Sequence, residues 1–300
     1  MSAARWALGT LGALGIVAAL GAGTLYARSA RMLARTYDVP AHRPLVVRTD
    51  AGTVARGEHV VRALGNCTLC HGEDLGGRVY DDASPVAVIA GPNLTRGRHG
   101  APLTDDDWVR ALRYGVHRDG TSLLVMPSEV FVHASDEDVA AIIAYARQLP
   151  PVDRQPPRSR FKPLGRALYG AGRMNLMVAS KTPRIDPPVA TPADTTLDYG
   201  RYLADLGGCR GCHGLGLSGG RVAGPPGLPP AANLTPDSAT GIGTWTEADL
   251  ARALRTGRRR DGSAINEFMP WRTLARMTDE EIAAVWRYLR SVPPRPFGHK

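Results

Sequence analysis

The pattern of apolar and polar positions sets one long apolar segment near the start of the chain apart from everything that follows. Residues Trp6 to Ala27 form 22 consecutive positions without a charged side chain. At about 1.5 Å per residue, a helix of that length crosses a hydrocarbon core of about 30 Å. We therefore predict an N-terminal transmembrane anchor within residues 1–30. A cleaved secretory signal is the alternative, although its apolar region usually covers only about 7–15 residues.

The remaining apolar pattern predicts short helices that come in pairs. Thr104 and Thr246 each stand three positions before an acidic residue, which is the signature of a helix start. Gly115 and Gly257 then supply a left-handed end to these helices. A later helix carries one apolar stripe at i, i+3, i+4 and i+7, formed by Ile282, Val285, Trp286 and Leu289.

Two further helices, over about 57–66 and 200–208, are predicted to lead into the cysteines. Glycine- and proline-rich stretches such as Gly214 to Pro230 lie between the helices and show no strand alternation. We therefore expect an all-α fold with long Gly/Pro loops.

Most of these signals occur twice, in the same order. Asn93-Leu-Thr95 matches Asn233-Leu-Thr235, and Met126-Pro127 matches Met269-Pro270. A register kept over about a hundred residues indicates two copies of one fold. The predicted domains are residues 50–150 and 196–296, joined by a Pro-rich connector over 151–195 that packs over the surface.

The four cysteines of the chain all lie in a repeated pentapeptide. The first copy contains Cys67, Cys70 and His71, and the second contains Cys209, Cys212 and His213. Two thiols three positions apart, followed directly by an imidazole, are typical of covalent haem attachment, in which the histidine binds the iron. The alternatives are a structural zinc site made of cysteine thiolates, a redox-active dithiol and a disulfide framework.

The repeat also supplies a second iron ligand in each half. Met126 lies 55 residues after His71, and Met269 lies 56 residues after His213, each followed by proline. A thioether opposite an imidazole saturates the iron and raises its reduction potential, because the soft sulfur stabilises ferrous iron. We therefore predict His71, Met126, His213 and Met269 as the metal ligands.

Several other histidines and methionines have no counterpart of the same type in the repeat. We interpret His59, His117 and His133 as structural. We interpret Met174, Met177 and Met277 as packing residues.

The ring nitrogen of an axial histidine that does not bind iron usually donates to a backbone carbonyl. The carbonyl of Pro92 is the candidate in the first half, and that of Pro229 or Pro230 in the second.

The formal charge of +9 changes this picture little. Part of it is arginine beside the apolar N-terminal segment, and haem propionates would offset more, so nucleic-acid binding is a poor inference. The run Arg258–Arg260 is either a solvated loop or a cationic patch for a haem propionate or an acidic redox partner.

With these motifs in place, the chain resembles the di-haem class I c-type cytochromes, which include cytochrome subunits of bacterial membrane dehydrogenases. The resemblance covers about residues 55–150 and 198–295 and rests on the two Cys-x-x-Cys-His motifs, the Met-Pro pairs, the final helices and the segment 233–245. The first half departs from it, with Arg96-Gly-Arg-His-Gly100 in place of Gly241-Ile-Gly-Thr-Trp245.

The resemblance implies two covalently bound haem c groups, two class I cytochrome c domains and single-electron transfer without catalysis. It places the domains in the periplasm, anchored to the cytoplasmic membrane, or soluble there if the segment is cleaved. The partners expected are redox proteins: a dehydrogenase subunit, a quinol-oxidising complex or a terminal oxidase. A di-haem peroxidase with one open iron is the alternative function.

Overall fold

The computed structural model describes residues 3–100, 102–193, 196–222, 224 and 227–299. The first half contains α2 (Ala51–His59), α3 (Cys67–His71), α4 (Asp105–Val109), α5 (Ser128–Phe131) and α6 (Asp136–Gln148), after the N-terminal α1 (Ala3–Leu33). The connector contributes α7 (Pro163–Gly170). The second half contains α8 (Leu197–Leu206), α9 (Cys209–His213), α10 (Glu247–Thr256), α11 (Trp271–Leu274) and α12 (Asp279–Ser291). Single π-helical turns extend α2 over Val60–Leu64 and α4 over Arg110–Tyr114.

The helix ends follow the sequence signals. Thr104 and Thr246 form capping boxes with Asp107 and Asp249. Gly115 and Gly257 end the same helices at φ values of 65° and 64°. These predictions are confirmed.

The helices that lead into the cysteines begin earlier than predicted. They start at Ala51 and Leu197 because Asp50 and Thr196 cap them, each accepting a hydrogen bond from a backbone amide three residues on.

In each half the first and last helices cross at a glycine. A methyl group on Gly57 of α2 would collide with the Ala141 carbonyl of α6, and one on Gly200 of α8 would collide with the Ala284 carbonyl of α12. These close crossings hold the two ends of each half together.

The all-α prediction is wrong for one part of the first half. Strands β1 (Arg78–Asp81), β2 (Ala87–Gly91) and β3 (Arg160–Phe161) form an antiparallel sheet in that order. The sequence hid β2 because a short apolar run without alternation fits a buried strand and a helix segment equally well. Its partner β3 comes from the connector, about 70 residues away, which no local pattern reveals.

The connector packs against the first half. Phe161 stacks on Tyr169 with ring centroids 5.1 Å apart, and both join Met177 in a small apolar cluster with Ala87. The last two connector residues, 194 and 195, lie outside the described residues.

The two halves meet in an ionic network that the sequence did not reveal. His59 of α2 bonds Glu281 of α12 at 2.8 Å, and Tyr202 of α8 donates to Asp138 of α6 at 2.5 Å. His59 matches Tyr202 in the repeat, and Asp138 matches Glu281, so the two contacts are related by the repeat. One hydrophobic cluster runs through both halves beside this network.

Candidate haem-binding sites

Each Cys-x-x-Cys-His motif forms one short helix, α3 or α9, set off from the helix before it by a left-handed residue. Asn66 has φ 53° and Gly208 has φ 73°, values open to glycine and tolerated by asparagine. The break turns the chain, so that the two thiols of each motif lie about one helical turn apart on one side.

The four thiols are free and are not grouped as a metal site. In the polypeptide before haem attachment, burial raises the pKa of Cys67 and of Cys209 to about 12. Among the described residues, no three His, Cys, Asp or Glu side chains come together as a site for a metal ion. The donor set therefore fits neither the all-thiolate zinc site nor a disulfide framework, and it suits two thioether bonds in each motif.

The imidazole of the first motif is buried and held in one orientation by a backbone carbonyl. His71 is 7% exposed, and its Nδ1 lies 2.9 Å from the carbonyl oxygen of Pro92. A carbonyl only accepts hydrogen bonds, so Nδ1 carries the proton and Nε2 keeps the lone pair that a metal needs. Burial lowers the pKa of His71, which favours the neutral form. The predicted role of the Pro92 carbonyl is confirmed.

The second imidazole has a different carbonyl partner from the one predicted. His213 Nδ1 lies 2.7 Å from the carbonyl oxygen of Ala232, and neither Pro229 nor Pro230 takes this role. Ala232 precedes Asn233 as Pro92 precedes Asn93, and the bond uses only a backbone oxygen, so proline is not required. Burial also lowers the pKa of His213.

The Asn-Leu-Thr loops fix these carbonyls, a role that sequence reasoning did not assign. Asn233 is 2% exposed, and its Oδ1 accepts from Thr235 N at 2.9 Å and from Thr235 Oγ1 at 2.8 Å. Its Nδ2 donates to the Arg295 carbonyl at 2.7 Å, beyond the last helix. Each loop is thereby tied to the end of its domain.

The first half repeats the arrangement with the same residue types. Asn93 Oδ1 accepts hydrogen bonds from the backbone N and from Oγ1 of Thr95, and Asn93 Nδ2 donates to the Val152 carbonyl at 2.6 Å. The repeated Asn-x-Thr spacing was the signal that could have revealed the role.

Met126 and Met269 occupy matching positions. Both are half-buried against the hydrophobic cluster that also receives Cys67 and Cys209. Each is followed by the proline that caps α5 or α11. The loops before them are held by equivalent hydrogen bonds. Leu123 N donates to the Gly115 carbonyl, and Ile265 N donates to the Gly257 carbonyl, at 2.7 Å in both cases.

The remaining sulfur and imidazole side chains lie elsewhere. Met177 and Met277 are each 4% exposed in apolar clusters, and Met174 packs beside the first of these. His59 bonds Glu281 across the domain contact, as described above. His117 is exposed, and the pKa of half-buried His133 is lowered by burial.

Comparison with known proteins connects this geometry to a family. Residues 52–145 match the model of cytochrome c oxidase, cbb3-type, subunit III, and residues 197–293 match the cytochrome c model. The chain belongs to the di-haem c-type cytochromes. Its two motifs accordingly carry two covalently bound haem c groups.

Several curated proteins resemble this cytochrome. It is 31% identical over 285 residues to the alcohol dehydrogenase (quinone), cytochrome c subunit, of Gluconobacter oxydans, covering 83% of this chain and 56% of the relative. It is 29% identical to the fructose dehydrogenase cytochrome subunit of Gluconobacter japonicus, over 85% and 54% of the two chains. The chain therefore spans about half the length of these relatives.

A relative of similar length is also a di-haem protein. The cytochrome is 27% identical to a diheme cytochrome c-type protein of Cereibacter sphaeroides, over 81% of this chain and 86% of that one.

Proposed function

We propose that this cytochrome relays single electrons between redox proteins as the cytochrome subunit of a membrane dehydrogenase. The observation that carries the proposal is the duplicated donor set. Each half presents a neutral imidazole, fixed through Nδ1, and a half-buried methionine in matching positions. Two saturated irons suit electron transfer and leave no coordination position for a substrate.

The proposed attachment residues are the four cysteines, and the proposed iron ligands are His71, Met126, His213 and Met269. The haem supplies the one-electron chemistry when bound. The chain holds each imidazole neutral and oriented, and the apolar cluster packs against Met126 and Met269. A water-poor environment keeps reorganisation small when an electron arrives or leaves.

We further propose that α1 is retained as a membrane anchor, with both haem domains in the periplasm. By length and composition, one helix of the described chain could cross a membrane, over Gly9–Leu33. Its C-terminal part packs on α7, where Arg166 Nε donates to Ser29 Oγ at 3.1 Å and Ser29 is fully buried. Cleavage after the apolar segment would remove part of a packed helix pair, which supports retention.

The partner proposed is a dehydrogenase subunit, because the relatives in Gluconobacter are named as dehydrogenase cytochrome subunits. A quinol-oxidising complex or a terminal oxidase is proposed as the second redox partner, at the other end of the relay. The cationic patch Arg258–Arg260 adjoins a shallow cavity lined also by Trp245 and Asp261, and it remains a candidate for an acidic partner or a propionate. None of the relatives' names describes a peroxidase, so that alternative has no support.

The test is a redox titration of the purified holoprotein with optical spectra. We expect two low-spin haems that do not bind cyanide rapidly in either oxidation state. Met126→Ala and Met269→Ala should each convert one haem to a high-spin, ligand-binding form and lower one midpoint potential. Met277→Ala is the matched control, because Met277 is a buried core methionine whose counterpart in the first half is Ala134, so the repeat gives it no role as a ligand. Unchanged spectra in both ligand variants would remove the ligand assignment, and rapid peroxide turnover by the unmodified protein would contradict the relay.

A further inference from the structure

The connector helix α7 has three faces, and in the described part of the chain one of them carries an apolar stripe that stays partly exposed. Gly165 and Tyr169 face the first haem domain, and the backbone there is so close that a methyl group on Gly165 would collide with the Val86 carbonyl. Arg166 and Gly170 face α1. The remaining arc carries Leu164, Ala167, Leu168 and Ala171, spaced i, i+3, i+4 and i+7.

This apolar stripe is partly exposed to solvent. Leu164 is 49% exposed, Ala171 is exposed, and Ala167 and Leu168 are half-buried. A stripe with helical periodicity on a short surface helix indicates an apolar surrounding on that side.

The contact of α7 with α1 sets the position of α7 relative to the proposed membrane. A Cβ atom on Gly170 would lie 3.1 Å from the carbonyl carbon of Leu25, and Arg166 Nη2 donates to the Tyr26 carbonyl at 3.4 Å. The Arg166 guanidinium also lies over the Tyr26 ring, 4.9 Å from its centroid. Leu25 and Tyr26 belong to the uncharged segment that ends at Ala27. If α1 spans a bilayer, α7 therefore sits at the boundary between acyl chains and headgroups.

Exposed arginines lie close to the contact between α1 and α7. Arg28 and Arg31 follow the uncharged segment on α1, and Arg173 follows α7, all of them exposed. Within the described part of the chain these three guanidiniums have no acidic partner in an ion pair. Cations just outside an apolar layer are attracted by anionic phospholipid headgroups.

We propose that α7 is an interfacial helix that lies in the outer headgroup layer of the membrane, with its Leu164 stripe against the acyl chains. The proposal rests on the proposed anchor and goes beyond it. A single transmembrane helix lets the attached domains tilt and rotate, whereas α1 and α7 together fix the first haem domain against the surface. The first domain is then membrane-proximal with one defined orientation.

The test uses spin labels on the full-length holoprotein in vesicles of phosphatidylcholine and phosphatidylglycerol. The native cysteines are consumed by the haems, so one added cysteine is uniquely labelled. Leu164→Cys reports the stripe. Leu215→Cys, on a second-domain side chain that is 83% exposed, is the aqueous control. Leu14→Cys reports the anchor itself.

Collision rates with oxygen, which concentrates in lipid, and with a water-soluble nickel chelate give the position of each label. We expect the Leu164 label to meet oxygen and to be shielded from nickel, and the Leu215 label to do the reverse. A second label at Ala171 should agree with Leu164, and an unchanged haem spectrum verifies the fold of each variant.

An aqueous Leu164 label together with a lipid-embedded Leu14 label would overturn the interfacial helix and leave the anchor standing. An aqueous Leu14 label on protein that does not stay with the vesicles would overturn the anchor, and the interfacial helix with it.

Discussion

The crossing of α2 over α6 gives a sharp prediction, because it depends on one missing methyl group. In Gly57→Ala, the new Cβ would lie 2.5 Å from the carbonyl carbon of Ala141 and 2.9 Å from Cβ of Tyr145, and nearer still to the Ala141 oxygen. Carbon atoms in contact prefer about 3.5–4.0 Å, so the helices must separate by about 1 Å.

The expected cost follows from two opposing effects. Overpacking a tight site costs about 1–3 kcal/mol, and this contact lies well inside the usual limit, so the upper part of that range applies. Alanine is the better helix former by about 1 kcal/mol, which offsets part of the loss. We expect Gly57→Ala to lower the free energy of unfolding by about 1–2 kcal/mol net.

Gly52 provides the matched control in the same helix. Its added Cβ would meet only the Asp50 carboxylate at 3.3 Å, and the position is exposed. Gly52→Ala should therefore leave stability unchanged or raise it by up to about 1 kcal/mol.

The assay is denaturant unfolding of the holoprotein, followed by far-ultraviolet circular dichroism and by the Soret band. Midpoints of the variants are compared at one pH, since a chain with two haem domains need not unfold in one step. If Gly57→Ala proves as stable as Gly52→Ala, the reasoning about the helix crossing is refuted.

Three further predictions concern the domain contact and the loops beside the haems. His59→Ala and Glu281→Gln, alone and combined, should show a coupling of about 1 kcal/mol in denaturant unfolding, the usual worth of a hydrogen bond; additive effects would mean no contact in solution. Burial raises the pKa of Glu281, but hydrogen bonds from His59 and a backbone amide outweigh it and lower the pKa overall. The wild type should therefore have its full excess of unfolding free energy over Glu281→Gln above the ordinary glutamate pKa. This excess should decline as pH falls through the lower pKa of the folded state, and a pH-independent difference would contradict the reasoning. Asn233→Ala should cost about 2 kcal/mol, because it leaves buried groups unpaired, and should shift only one midpoint potential. Asn175→Ala, at an exposed asparagine of the connector, is its control in unfolding and redox titration, and equal effects of the two variants would contradict a special role for Asn233.

Some of this geometry was predictable because it depends on residues close together in the chain. Capping boxes at Thr104 and Thr246 need only a hydroxyl and a carboxylate three residues apart, so the helix starts were predicted correctly. The carbonyl of Pro92 was also predicted correctly.

The partner of His213 was missed for a definable reason. The prediction followed the residue type, proline, whereas the bond follows the backbone position before the Asn-Leu-Thr loop. A backbone acceptor carries no side-chain signature, so position in the repeat is the better guide.

The sequence by itself determined the duplication, the haem chemistry and most helix ends, because each rests on fixed spacings of a few residues. Tertiary structure alone decided that β3 of the connector completes a sheet, that His59 pairs with Glu281, and that α7 packs on α1. These contacts join residues about 70 to 220 positions apart. Their energy depends on which surfaces meet after the chain has folded, and no local pattern records that choice.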